Sequence, residues 1–267
     1  MAAHSALLPV REKGWWRGFA NLLGNENRAW WRTRRWLVQM IVWVAILDGI
    51  LAAVLFTEPK TGAQAMESTA EGMTVFAIMS LMALATGMVI IAQEAIIDER
   101  KSGTAAWILS KPVARAAFIL SKLMARGLGM LVVGVIVPGT IAYLLLMAAG
   151  GSFRIGAFVA VLGMVLLNLL FYLTLTIMLG TLFSERGPVI GIPLALVYGY
   201  QFLIGLAPWL NNISPLGFLA QPSGSTPIVA QVGLGLARLP LAPIIATALW
   251  CVLFTAVALW RFNREEF

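Results

Sequence analysis

The sequence predicts an all-α, polytopic membrane protein with six transmembrane helices. Apolar residues make up 60% of the 267 and charged residues only 12%, with a mean hydropathy of +0.87. A soluble domain is closer to about 45–50% apolar and about 25% charged. The apolar residues also recur in separate runs from Trp36 to Trp260 instead of gathering in one tail. Each run approaches the roughly 20 residues that a helix needs to cross hydrocarbon. A soluble globular domain, a disordered chain and a disulfide scaffold are excluded on these grounds.

The six predicted spans are Trp36–Phe56, Gly72–Ile97, Gly127–Ala149, Ile155–Phe183, Pro188–Leu206 and Leu241–Trp260. The second and fourth are long enough to tilt or to project beyond the bilayer. The fifth carries Gly191, Pro193, Gly199 and Gly205, all poor residues for a helix interior. Orientation follows from Lys and Arg in the short flanks. With both termini inside, only Lys60, Arg154 and Arg238 of the 19 basic residues fall outside. The net charge of +7 and the pI near 10.1 therefore express membrane topology, and nucleic acid is not expected as a partner. The first apolar run is long enough to remain as an anchor, so no cleavable signal peptide is expected.

Residues 1–35 form a cytoplasmic segment ahead of the 36–267 membrane domain. Trp15, Trp16, Phe19, Leu22 and Leu23 recur at helical spacing, followed by a predicted break at Gly24-Asn25. Trp30 and Trp31 stand among Arg28, Arg32, Arg34 and Arg35. Trp and Arg together suit an amphipathic helix in the headgroup layer. An elbow helix touching a cytoplasmic partner is the sharper reading, compatible with the first.

The inner loop 98–126 is the most informative stretch. Ser102 or Thr104 can cap a short helix, and Pro112 ends it. About two turns remain, carrying Trp107, Ile108 and Leu109 between charged flanks. A helix that short cannot bury its own apolar face, so it must dock on the membrane surface or in a groove of a soluble protein. Arg115, Lys122 and Arg126 follow as a basic stripe, read as snorkelling to the headgroups. The outer segment 209–240 holds Pro215, Pro222, Pro227 and Pro240, yet stays apolar. Short helices dipping into the outer leaflet and packed on protein are expected there.

Chemistry-bearing residues are few. His4 and Cys251 are each the only one of their kind, so no disulfide, His/Cys metal cluster or serine-type triad is expected. No phosphate-binding loop or dinucleotide fingerprint occurs, and no cofactor is expected on this chain. Asp48 lies near the middle of the first span, where an ionised carboxylate costs about 2.5–3.5 kcal/mol. It either lines a path together with Asn168 and Gln201, or is a structural Asp that is protonated or hydrogen-bonded, with Asn168 or Gln201 as candidate partners. Glu94 either snorkels or pairs with Arg100 or Arg126.

The inner loop resembles that of the type 2 ABC transporter permeases. The resemblance rests on the ordered set Glu99-Arg100, Gly103-Thr104, Ile108-Leu109, Pro112-Val113-Ala114-Arg115 and Lys122. Ala114 stands where Ser is common and Ser121 where Gly is common. The six spans, the apolar outer segment and the ending Trp260-Arg261-Phe262-Asn263-Arg264-Glu265-Glu266-Phe267 extend it over most of the chain. The resemblance implies that the loop, with Trp107 at its tip, is a coupling helix seated in a separate ATPase subunit, which binds the ATP and Mg. It implies a working unit of two permeases and two ATPases in the cytoplasmic membrane, and export of an unidentified substrate. Two rivals stay open. An ion-gradient transporter would want several intramembrane charges and an inverted repeat, and a membrane anchor that transmits an ATPase stroke would transport nothing itself.

Overall fold

The computed structural model describes residues 14–57, 62–102, 104–221, 224 and 226–264, and all regular structure in them is helical. A chain in hydrocarbon must satisfy its backbone N–H and C=O groups within the segment, and a helix does so alone. Five helices are long and apolar enough to cross a membrane, and a bent pair brings the number to six when it is counted as one span.

Helix α1 (Phe19–Arg32) follows one 3-10 turn at Gly14–Trp16. It runs unbroken through Gly24-Asn25, where the sequence predicts a break. A single glycine costs only about 1 kcal/mol in a helix, and the packing of α1 along a neighbouring helix outweighs it. The first span, Arg35–Phe56, consists of α2 (Arg35–Trp43), a wide π turn over Val44–Asp48 and α3 (Gly49–Phe56).

Helix α4 runs from Ala63 to Lys101, 39 residues, instead of the shorter predicted Gly72–Ile97. At 1.5 Å per residue it is roughly 58 Å long, about twice the hydrocarbon thickness. It contains no proline and only two glycines, Gly72 and Gly87, and the polar Gln64, Glu67, Ser68 and Glu71 suit a helical end in water. After the short α5 (Thr104–Leu109), the third span extends over Arg115–Ala148 as α6 (Arg115–Met130), a π turn at Leu131–Ile136 and α7 (Val137–Ala148). The wide turn has a cause: the ring of Pro138 would otherwise clash with the carbonyl four residues earlier, at Gly134.

Helix α8 (Ile155–Leu182) matches its prediction closely. The predicted fifth span is broken into α9 (Arg186–Tyr198) and α10 (Tyr200–Leu206), bent by 69°. Gly199 sits at the bend, where a Cβ would lie 2.5 Å from the Ala195 carbonyl oxygen. The Tyr198 hydroxyl meets Thr86 Oγ1 at 3.0 Å, so α9 ends alongside the middle of α4.

The outer segment is α11 (Leu210–Ile213), a 3-10 turn at Pro215–Leu219 and α12 (Ile228–Gly233). Pro215 to Leu219 are all buried, as are Val229, Ala230, Val232 and Gly233. The segment is greasy because it packs on the bundle, chiefly on α4, α8 and the last helix, α13 (Leu241–Asn263). Helices α4 and α8 form the centre, while the first span and α13 are mostly exposed flanks. Val38, Ile41, Val42 and Ile46 on one flank, and Ile245, Leu249, Val252 and Leu253 on the other, point outward. Such faces are stable against lipid or another helix, not against water.

One end of the bundle gathers the end of α4 and the starts of α6 and α9. Asp98 pairs with Arg186 there, and Arg115 Nη1 donates to the Asn263 carbonyl at the end of α13 (2.8 Å). Phe118 and Phe262 stack below them with centroids 5.2 Å apart. Since α13 ends at this pole and α9 starts at it, the chain must cross between Arg186 and Leu241. The bent α9–α10 pair begins that crossing.

Candidate functional site

At the loop pole α5 is folded back beside the end of α4. Ser102 Oγ accepts from the Thr104 backbone N–H at 3.4 Å and meets Thr104 Oγ1 at 2.8 Å, so both predicted capping residues act at the start of α5. Its end is closed by Ser110 Oγ donating to the Trp107 carbonyl (2.8 Å) and by the Lys111 N–H donating to the Ile108 carbonyl (3.2 Å). The exposed Pro112 then turns the chain toward α6.

The apolar cluster of this helix is split by the fold. Trp107 is 63% exposed, with Lys111 Nζ 3.4 Å from its ring centroid. Ile108 turns inward and packs on the bundle core. Thr104 is exposed, and Gly103 and the side chains of Arg100 and Leu109 lie outside the described parts. The outward face thus presents an aromatic ring with a cation on it, while Ile108 anchors the helix from below.

Behind this loop, α1 lies side by side with α6. The Ala114 N–H donates to the Arg17 carbonyl at 2.9 Å. Gly18, at φ +80°, leaves only 3.1 Å between a built Cβ and Val113, so a side chain would be both strained and crowded. Farther along, the Trp30 ring lies against Gly129, where a Cβ would come within 2.6 Å of it.

Lys122 does not snorkel. It is 1% exposed, and its ammonium donates to Glu26 Oε1 and Glu99 Oε1, each at 2.6 Å. Arg126 Nη1 stands 3.6 Å from Glu26 Oε2, which brings the group to two cations and two carboxylates. The predicted basic stripe is therefore largely internal wiring. Lys122 joins α1, α4 and α6, and Arg115 ties α6 to α13. A cation at Asn263 also complements the negative end of that helix. The sequence reading missed Glu26, whose only signal is an acid isolated among the basic and aromatic residues of α1.

Beside this cluster, α1, α2, α4 and α6 enclose a cleft of about 650 Å³ whose wall includes Glu94. Among the described residues the three predicted for a path share no hydrogen bond with one another. Asp48 is 4% exposed at the end of the π turn, and neither carboxylate oxygen has a hydrogen-bond partner among the described residues. Asn168 Nδ2 donates instead to the Leu81 carbonyl (2.9 Å), joining α8 to α4. Gln201 Nε2 donates to the Tyr200 hydroxyl (3.0 Å) at a second cleft near the outer segment. No group of three or more His, Cys, Asp or Glu is placed to hold a metal among the described residues.

A multi-pass helical bundle with one outward-facing loop helix is the architecture of a polytopic membrane protein. Residues 30–202 match the family described as ABC-2 family transporter protein, and the chain belongs to that family. The matched region takes in the first four spans, most of the bent pair and the whole 98–126 loop. The chain is also similar to the probable ABC transporter permease protein NosY of Pseudomonas aeruginosa, with 27% identity over 252 residues, covering 85% of this chain and 87% of that protein. The family makes this the permease component of an ABC transporter, and it implies an ATPase partner.

Proposed function

We propose that this permease works as an exporter in the cytoplasmic membrane, with both termini and the 98–126 loop on the cytoplasmic side. ATP and Mg are bound and ATP is hydrolysed on a separate ATPase subunit, and the permease pairs with a second copy or a homologue. Its exposed apolar flanks suit both lipid and such a pairing. Asp48 is the residue we assign to the translocation path, because a carboxylate in the middle of a span has to be used or neutralised.

The observation that carries this reading is Trp107. A large ring held outward on a short, capped and anchored helix suits an aromatic anchor in a partner's groove. Such an anchor contributes more than about 2 kcal/mol when buried at an interface. The test is co-purification of the permease with its ATPase, followed by ATP turnover of the complex. Trp107→Ala should weaken association by about thirtyfold or more, while thermal stability of the permease alone stays unchanged. Lys111→Ala should have a smaller effect. Full association and full coupling in Trp107→Ala would place the helix on lipid headgroups and end the proposal.

A further inference from the structure

The cleft between α1, α2, α4 and α6 is not accounted for by ATPase docking. Its mouth carries Arg34 and Arg35, both exposed, and among the described residues neither has a carboxylate within ion-pair distance. Deeper in, Arg126 contributes an Nη1 with no hydrogen-bond partner, since Glu26 is 3.6 Å away. Gln39 Oε1 is likewise buried and unpartnered among the described residues. Two carboxylates line the cleft: Glu26, already held by Lys122 and Arg126, and Glu94, which has no ion pair among the described residues. Val38 and Ile90 complete the cleft as an apolar strip, 58% and 52% exposed, continuous with the lipid-facing flank of the first span.

This is an unusual combination for a bundle surface. Three guanidinium groups offer donors, two of them uncommitted, while Gln39 and Glu94 offer acceptors at the same site. Buried donors and acceptors without partners are costly, and native proteins normally satisfy them. A ligand that satisfies both sets must carry an anionic oxygen and a hydrogen-bond donor. It must also carry an alkyl chain for the Val38–Ile90 strip. We propose that the cleft binds one phospholipid from the adjacent leaflet, with its phosphate on Arg34, Arg35 and Arg126 and the ethanolamine or glycerol end of its headgroup on Glu94 and Gln39. The volume of about 650 Å³ suits a headgroup and the first part of one acyl chain, which leaves the rest of the lipid in the bilayer. Basic pockets between helices at the cytoplasmic interface are known to take phosphate headgroups. Phosphatidylcholine has no donor for Glu94 and is discriminated against.

The proposal uses the sidedness argued above only to say which leaflet supplies the lipid. It is read on the permease alone, so its failure and that of the ATPase-docking reading are separable. The test is titration of delipidated, full-length protein in detergent with phosphatidylethanolamine, phosphatidylglycerol or phosphatidylcholine, with bound lipid counted by native mass spectrometry. One ethanolamine or glycerol lipid should bind per chain in preference to the choline lipid. Arg34→Gln with Arg35→Gln should weaken that binding by about tenfold or more. Arg28→Gln with Arg32→Gln removes the same charge from α1 outside the cleft and should leave it unchanged. Ile90→Trp fills the apolar strip without altering charge and should also displace the lipid. Equal losses in the two arginine pairs would mean generic surface attraction and overturn the proposal. Equal binding of the choline lipid would do so as well. Displacement by inorganic phosphate at matched concentration would reassign the site to free phosphate.

Discussion

Lys122 shows how much depends on one residue's surroundings. Its ammonium is removed from water and held by two carboxylates, each about a quarter exposed. Deleting the cation leaves Glu99 without its cation and Glu26 with only Arg126 at 3.6 Å, and breaking a fully buried pair costs about 3–5 kcal/mol. Lys122→Met should therefore destabilise the bundle by about 3 kcal/mol, at the lower end because the glutamates keep some water. Thermal unfolding in detergent reads this, and a Lys122→Met/Glu26→Gln double variant should recover part of the loss. A snorkelling lysine would show almost no change in either. At Asp48 the expectation is reversed. Among the described residues its carboxylate makes no hydrogen bond that an amide would break. Asp48→Asn should keep the folded yield and thermal stability while lowering transport-linked ATP turnover of the assembled complex. A fall in stability with normal turnover would make Asp48 a structural residue.

At the scale of elements, close approach of helices depends on tryptophan rings lying on glycines. Trp43 of the first span packs over Gly87 of α4, where a built Cβ would sit 2.1 Å from the ring. Trp30 does the same over Gly129. The ring cannot yield as the end of a flexible chain would, so α2 itself has to shift. Gly87→Ala should cost about 1–3 kcal/mol by overpacking. Gly163→Ala in α8 meets nothing within 4 Å and should be neutral or stabilise by up to about 1 kcal/mol through helix propensity. Comparing the two by thermal unfolding separates crowding from propensity. The broken α9–α10 pair is the other lesson here. The glycines and prolines of 188–206 marked that span as weak, but neither the bend angle nor the stop beside Thr86 is written in local sequence. Both come from the contacts of α9 with α4.

For the whole molecule, sidedness can be checked with single cysteines in a Cys251→Ala background. Ser110→Cys, in the exposed loop, should react with an impermeant maleimide only after the membrane is opened. Arg238→Cys, exposed after α12, should react in intact cells. Reaction of Ser110→Cys from outside would invert the topology. The sequence by itself determined the class, the positions of most spans and the existence of the loop helix. These follow from hydrophobicity, charge asymmetry and capping residues, each of which acts over one turn or one bilayer thickness. Tertiary structure alone decided which polar residues are exposed. A lysine on a helix reads the same whether it faces headgroups or two glutamates, and Glu26 and Glu99 are 96 and 23 residues from Lys122. Likewise Trp107 and Ile108 are adjacent and similar in hydrophobicity, and only the docking of α5 on α4 turns one outward and the other in. Burial and partnership depend on distant segments meeting, and local sequence has no measure of that distance.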